Sequence, residues 1–229
     1  MHKAGFSLFH SNKKICSFVR HKRYLINDCM IQSYQDYQHY WGRDKIALGI
    51  TSKEKERLAK RYNLIGGLTT YKLQKLMRKA EYYTNCASGF RERLLGSYYR
   101  WRYMRYSQKL LISVPLNTCG SGLSLAKTGP IRINPGCKIG ANCRIHISTN
   151  IATEAGEEAK APIIGDNVYI GPGVKIFGSI KIASNSAIGA NAVVTKSFHN
   201  QGKLIAGIPA KEIKEVDVRK IIPILIHEN

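Results

Sequence analysis

Between Ile133 and Val194 the chain holds one histidine, His146. An imidazole, with an ordinary pKa near 6.5, is the side chain suited to taking a proton at neutral pH. General-base removal of a hydroxyl proton is the chemistry such a residue supports. His146 directly follows Ile145, and neighbours on a strand alternate, so the ring is expected to point away from that isoleucine. The plain alternative is a solvated surface imidazole. The six cysteines form no CxxC pair and no metal-ligand spacing, so no metal site is expected.

The element that must position His146 is written in the spacing of the aliphatic residues. Ile133, Ile139, Ile145 and Ile151 recur every sixth residue, and so do Ile164, Ile170, Ile176, Ile182, Ile188 and Val194. A period of six fits neither a helix nor an indefinitely alternating strand, so it describes a repeating coil. Three such units make a triangular coil of about 18 residues, with isoleucines stacked at roughly 4.8 Å. Cys137 and Cys143 fall on the small inward position of consecutive units. From Ile151 to Ile164 the spacing slips to thirteen, through the polar ATEAGEEAKAPI, which marks a loop ejected from the coil.

IIGDNVYIGPG, IGANAVVTKSF and AGIPAKEI, within the run from Cys143 to Ile213, resemble the hexapeptide-repeat acyltransferases. The subgroup they resemble is the serine acetyltransferase-like enzymes found with capsule and exopolysaccharide pathways. The similarity covers roughly 115–214, and more weakly 32–111 through YWGRDKIALG and KLMRKAEYY. It implies a mainly β fold, a left-handed parallel β-helix with an α-helical N-terminal region. It also implies a homotrimer and acetyl-CoA as donor, with no metal. The family's base histidine corresponds here to Lys127, its orienting aspartate to Ile112 and its serine-binding histidine to Ala161. Lys127 would need its pKa lowered by roughly 3 units, near 4 kcal/mol, to act as a neutral base. His146, expected one coil on from Lys127, needs no such shift. Both stay open as the catalytic group, as does a catalytically impaired copy. The resemblance places the donor on Pro172, Ala190, Thr195, Lys196, Lys211 and Lys214, the three lysines pairing with phosphates as mobile point charges.

The net charge is +21, with 23 Lys+Arg against 7 Asp+Glu over residues 1–112 and 13 against 8 over 113–229. Such a field suits CoA, an anionic glycan, a membrane surface or nucleic acid, but no nucleic-acid motif is present and none is expected as a partner. Residues 1–29 are basic, lack a signal-peptide pattern and are expected to form a loosely ordered extension ahead of Met30. The expected organisation is then a helical region at 30–112, a β-helix acyltransferase domain at 113–214 and a tail at 215–229 that packs on the core. In FRERLLGSYYRWRYMRYSQKLL, Arg and aromatics alternate densely. Those rings are expected to pack on the β-helix or neighbouring subunits, or to lie on an anionic membrane. The cysteine usage fits a reducing cytosol, hence a cytoplasmic location. The leading expectation is O-acetylation of a sugar hydroxyl in surface polysaccharide biosynthesis. Serine O-acetylation and a non-catalytic CoA-binding scaffold are the alternatives. A β-helical carbonic anhydrase would need several histidine ligands where this repeat supplies His146 alone.

Overall fold

A computed structural model describes residues 30–61, 69–154 and 160–226. The expected extension at 1–29 and the centre of the 151–164 loop lie outside them. Among the described residues four helices come first: α1 (Tyr34–Ala47), α2 (Lys53–Arg61), α3 (Thr69–Asn85) and α4 (Phe90–Leu110). Local chemistry starts them. The Ser33 hydroxyl accepts from the Asp36 amide at α1, and Ser52 accepts from Lys55 at α2. At α4 the Glu92 carboxylate reaches back to the amides of Ser88 and Gly89. Leu111, in the left-handed region at φ 59°, ends that helix.

Thirteen short parallel strands follow, then a hairpin return. They are β1 (Ile112–Ser113), β2 (Ser124–Leu125), β3 (Ile131–Ile133), β4 (Lys138–Ile139), β5 (Arg144–Ile145), β6 (Thr149–Ala152), β7 (Ile163–Ile164), β8 (Tyr169–Ile170), β9 (Lys175–Phe177), β10 (Lys181–Ile182), β11 (Ala187–Ile188), β12 (Val193–Val194), β13 (Lys203–Gly207) and β14 (Ala210–Glu215). From β2 to β9 each strand pairs with the strand three further on, giving sheets ordered β1-β3-β6-β9-β12, β4-β7-β10 and β2-β5-β8-β11-β13-β14. Cys119 bridges to Ile139, and Ile182 to Phe198, which extends the second sheet at both ends. The three sheets are the faces of a prism whose axis is one stack of aliphatic side chains. Leu125, Ile145, Ile170, Ile188 and Ile205 are all fully buried on one face, and Cys119, Ile139, Ile164, Ile182 and Phe198 line another. Each fully buried isoleucine contributes roughly 1.5–3 kcal/mol. Cys137 and Cys143 are buried as expected, and burial pushes the Cys137 thiol up to about 11, an inert side chain.

Two findings correct the sequence reading. The fold is mixed rather than mainly β, because the helices are as much a part of the described structure as the coils. The first coil is also longer than the hexad count implies. Ile131 pairs with Thr149, 18 residues on, but Leu125, not Lys127, pairs with Ile145. Extra residues bend out of the coil at 127–129, so Lys127 stands on an exposed turn instead of stacking in register.

The helical region closes the open end of this prism. A polar stripe on α3 replaces the coil that would otherwise come before β2. Thr70 donates to the Leu125 carbonyl, and Gln74 donates to the Leu123 carbonyl while accepting from the Leu125 amide. Arg78 donates to the carbonyls of Cys119 and Gly120, and Glu81 accepts from the Asn117 amide. Asp44 of α1 accepts from the Leu123 amide. An uncovered strand edge would leave those backbone groups unpaired. At the other end of the chain, Val218, Ile222 and Ile224 pack with Ala47 and Ala187, holding the tail against α1 and the third sheet.

Candidate active site

His146 stands where β5 leaves the third sheet, with Arg144 two residues before it and so on the same outward side. The Arg144 Nε–H donates to His146 Nε2 at 3.3 Å, and the Arg144 Nη1 reaches Ser124 Oγ at 3.4 Å. Tyr169, the partner of Arg144 one coil on, places its ring centroid 5.1 Å from the imidazole at 55°. With Nε2 accepting, a neutral ring carries its proton on Nδ1. Partial burial first, then the charges of Arg144 and Lys127, hold the His146 pKa below its ordinary value. Lys127 is therefore close enough to act electrostatically, although it is not its stacked neighbour. Sequence reading missed Arg144 and Tyr169. The alternation about Ile145 could have revealed Arg144. Tyr169 lies 25 residues after Arg144, across the ejected loop, and needed the observed register.

The other expected positions separate. The His146 amide donates to the Ile170 carbonyl, the Gly171 amide to Ile188 and the Gly189 amide to Ile205. This aligns His146, Gly171, Gly189 and Ala206 as consecutive rungs, and Ala206 pairs with Lys211 on β14. Four steps of strand spacing make a lane roughly 19 Å long between the backbones of His146 and Lys211. A Cβ on Gly171 would meet the Ile188 carbonyl oxygen at 2.8 Å and one on Gly189 the Ala206 methyl at 3.0 Å, so coil packing itself keeps side chains off these two rungs. Pro172 and Ala190 lie exposed on the turns flanking it, joined by the bond from the Asn191 amide to the Pro172 carbonyl. Lys211 thus joins Pro172 and Ala190 along one edge. Thr195 and Lys196 instead follow β12 of the first sheet, with Lys196 Nζ 5.5 Å from the Phe198 ring centroid. Lys214 pairs with Leu204, at the other end of the hairpin. Within one chain the six positions do not converge. Ile112, in the position of the family's aspartate, is 1% exposed in the core, and Ala161 packs against the same core.

Residues 161–196 match the family model for the bacterial transferase hexapeptide (six repeats). The chain carries the transferase hexapeptide repeat. Among curated proteins, the chain is similar to a serine acetyltransferase of Staphylococcus aureus (strain Mu50), 42% identical over 84 residues. That alignment covers 36% of this chain and 39% of the relative. A serine acetyltransferase of Staphylococcus epidermidis is 40% identical over 94 residues, covering 41% and 43%. The chain therefore spans only about two fifths of the length of these relatives. Among solved structures, a Brucella abortus serine acetyltransferase in complex with coenzyme A superposes with TM-score 0.60 at 22% identity, over 80% of this chain and 70% of that one. Soybean serine acetyltransferase complexed with serine gives 0.57 at 19%, over 78% and 69%. At such identities these two establish a shared fold, helices and hexapeptide coils together.

Proposed function

We propose that the protein is an acetyl-CoA-dependent O-acetyltransferase. The observation that carries this reading is the lane from His146 across Gly171, Gly189 and Ala206 to Lys211. A base stands at one end, a cation at the other, and the rungs between carry nothing larger than the Ala206 methyl. A thioester donor laid along it would bring its acyl carbon toward His146 and a phosphate toward Lys211. His146 takes the acceptor hydroxyl's proton, the oxygen attacks the thioester carbonyl, and CoA leaves as the thiol after accepting a proton from the imidazolium. To take the proton at Nε2, the imidazole must first release the Arg144 hydrogen bond. Lys196, after β12 of the first sheet, and Lys214, at the far end of the β13–β14 hairpin, lie off this lane; in a homotrimer a neighbouring subunit would have to bring them to the donor.

L-Serine leads as the acceptor, because it is the substrate named for the curated relatives. A sugar hydroxyl of a polysaccharide precursor is the second reading. It is favoured by Ile112 and Ala161, neither of which can supply the carboxylate or imidazole that the resemblance assigns to those positions. Free CoA release should be followed with acetyl-CoA and a panel of L-serine, monosaccharides and oligosaccharides. Turnover with serine alone supports the first acceptor, and turnover with a glycan alone the second. CoA binding without turnover on any hydroxyl would overturn the enzyme reading and leave a CoA-binding scaffold.

A further inference from the structure

Helix α4 is apolar on two opposite sides. One side faces inward: Tyr103 is buried and donates to the Val114 carbonyl, and Tyr99, Tyr106 and Leu110 pack against the core. At 3.6 residues per turn, Phe90, Leu94, Tyr98, Trp101 and Met104 fall on the far side within an arc about 120° wide. Phe90 is 81% exposed, Leu94 62%, Trp101 58% and Met104 57%. Among the described residues nothing covers this second stripe. Its borders are cationic, with Arg93 and Arg100 along one edge and Arg91, Arg102 and Lys109 along the other. Arg105 lies within the stripe, and the helix's one acid, Glu92, is spent on capping Ser88 and Gly89.

We propose that α4 docks the protein on an anionic phospholipid surface, lying in the plane of the headgroups. Charge complementarity chooses this occupant. An apolar stripe flanked on both sides by cations inserts at the acyl boundary while the guanidinium groups stay among the phosphates. Trp101 and Tyr98 are the ring types suited to that depth. A second copy of the chain would bring six cations against six. A nucleic acid would pair with the cations and leave Phe90, Leu94 and Met104 in water. The rest of the N-terminal half carries the same sign, so the field around α4 adds to the attraction.

The test is flotation of the full chain with phosphatidylcholine vesicles, with and without phosphatidylglycerol. Trp101 is one of two tryptophans, and the other, Trp41, is buried. Binding should therefore shift tryptophan emission to the blue with the anionic vesicles and weaken as salt rises. The double variant Leu94→Gln/Trp101→Gln alters exposed side chains, so its thermal melting should match wild type. Its flotation should fall by about tenfold or more, since one large buried apolar side chain is worth that much. Equal binding to phosphatidylcholine alone, or undiminished flotation of the double variant, would overturn the proposal. So would a wild-type oligomer in lipid-free size exclusion that the double variant lacks, or binding of duplex RNA in place of vesicles.

Discussion

The imidazole of His146 lies between two cations, Arg144 at hydrogen-bond distance and Lys127 on the bend before it. Both favour the neutral ring, as does burial, so the folded pKa is below the ordinary value. The group consequently stays a competent base below pH 6.5, and any stability linked to it is lost as pH falls through the lowered pKa. Arg144→Gln removes the nearer charge and should move the acid limb of kcat/KM to higher pH. A limb that stays put would show that His146 is not the group being titrated. His146→Ala should lower kcat by about 10²–10⁴-fold while CoA affinity remains near wild type. If Lys127→Ala abolishes turnover and His146→Ala does not, the lysine is the base and Arg144 has no part in the pH profile.

Helix α3 and the coil corners explain how the elements hold together. Arg78 is fully buried, bonded to Asp44 at 2.8 Å and to Glu81 at 3.0 Å, with the Tyr40 ring 5.0 Å away. Burial opposes its charge, but the two carboxylates outweigh that and hold its pKa above the usual guanidinium value. Burial drives the Glu81 carboxyl up in spite of Arg78. Arg78→Met would leave two buried carboxylates without their cation and remove the donor that Arg78 brings to the carbonyls of Cys119 and Gly120. It should cost about 3–5 kcal/mol in denaturant unfolding. At one row of corners Asn142, Asn167 and Asn185 adopt φ of 56°, 55° and 58°. Their amides run head to tail from Arg43 to Gln201 at 2.8–3.0 Å. Asn167→Ala loses this ladder and keeps a Cβ in the left-handed region without asparagine's tolerance of it, whereas Asn167→Gly loses the ladder but also removes that Cβ. The alanine variant should be less stable by about 1 kcal/mol, which thermal denaturation of the pair would read.

For the whole molecule, ligand binding couples to unfolding. As the proposed donor, CoA would bind only the folded state and so should raise Tm with concentration by mass action. Lys211→Ala should reduce the shift, because Lys211 ends the lane from His146. Lys196→Ala should reduce it only if a neighbouring subunit brings that lysine to the donor. A Lys196→Ala shift equal to wild type, in a chain that elutes as a trimer, would remove Lys196 from the site. No helix among the described residues is long and apolar enough to cross a membrane.

The period of six was enough to place the aliphatic stack, because a side chain that recurs at one phase of every coil can be buried only on the axis. Leu125 and Ile145 show where that reasoning stops: two extra residues in a bend carry no hydrophobic signal, yet they shift the stacking and move Lys127 off the face. The outward direction of His146 was legible from its neighbour Ile145, since strand alternation is local. Its bond to Arg144 and the approach of Tyr169 were not, because ring contacts depend on which residues the ejected loop brings into register. Nor did the sequence disclose that α3 serves as the missing first coil. Thr70, Gln74, Arg78 and Glu81 follow an ordinary helical spacing, and only docking against an open strand edge turns that stripe into hydrogen bonds.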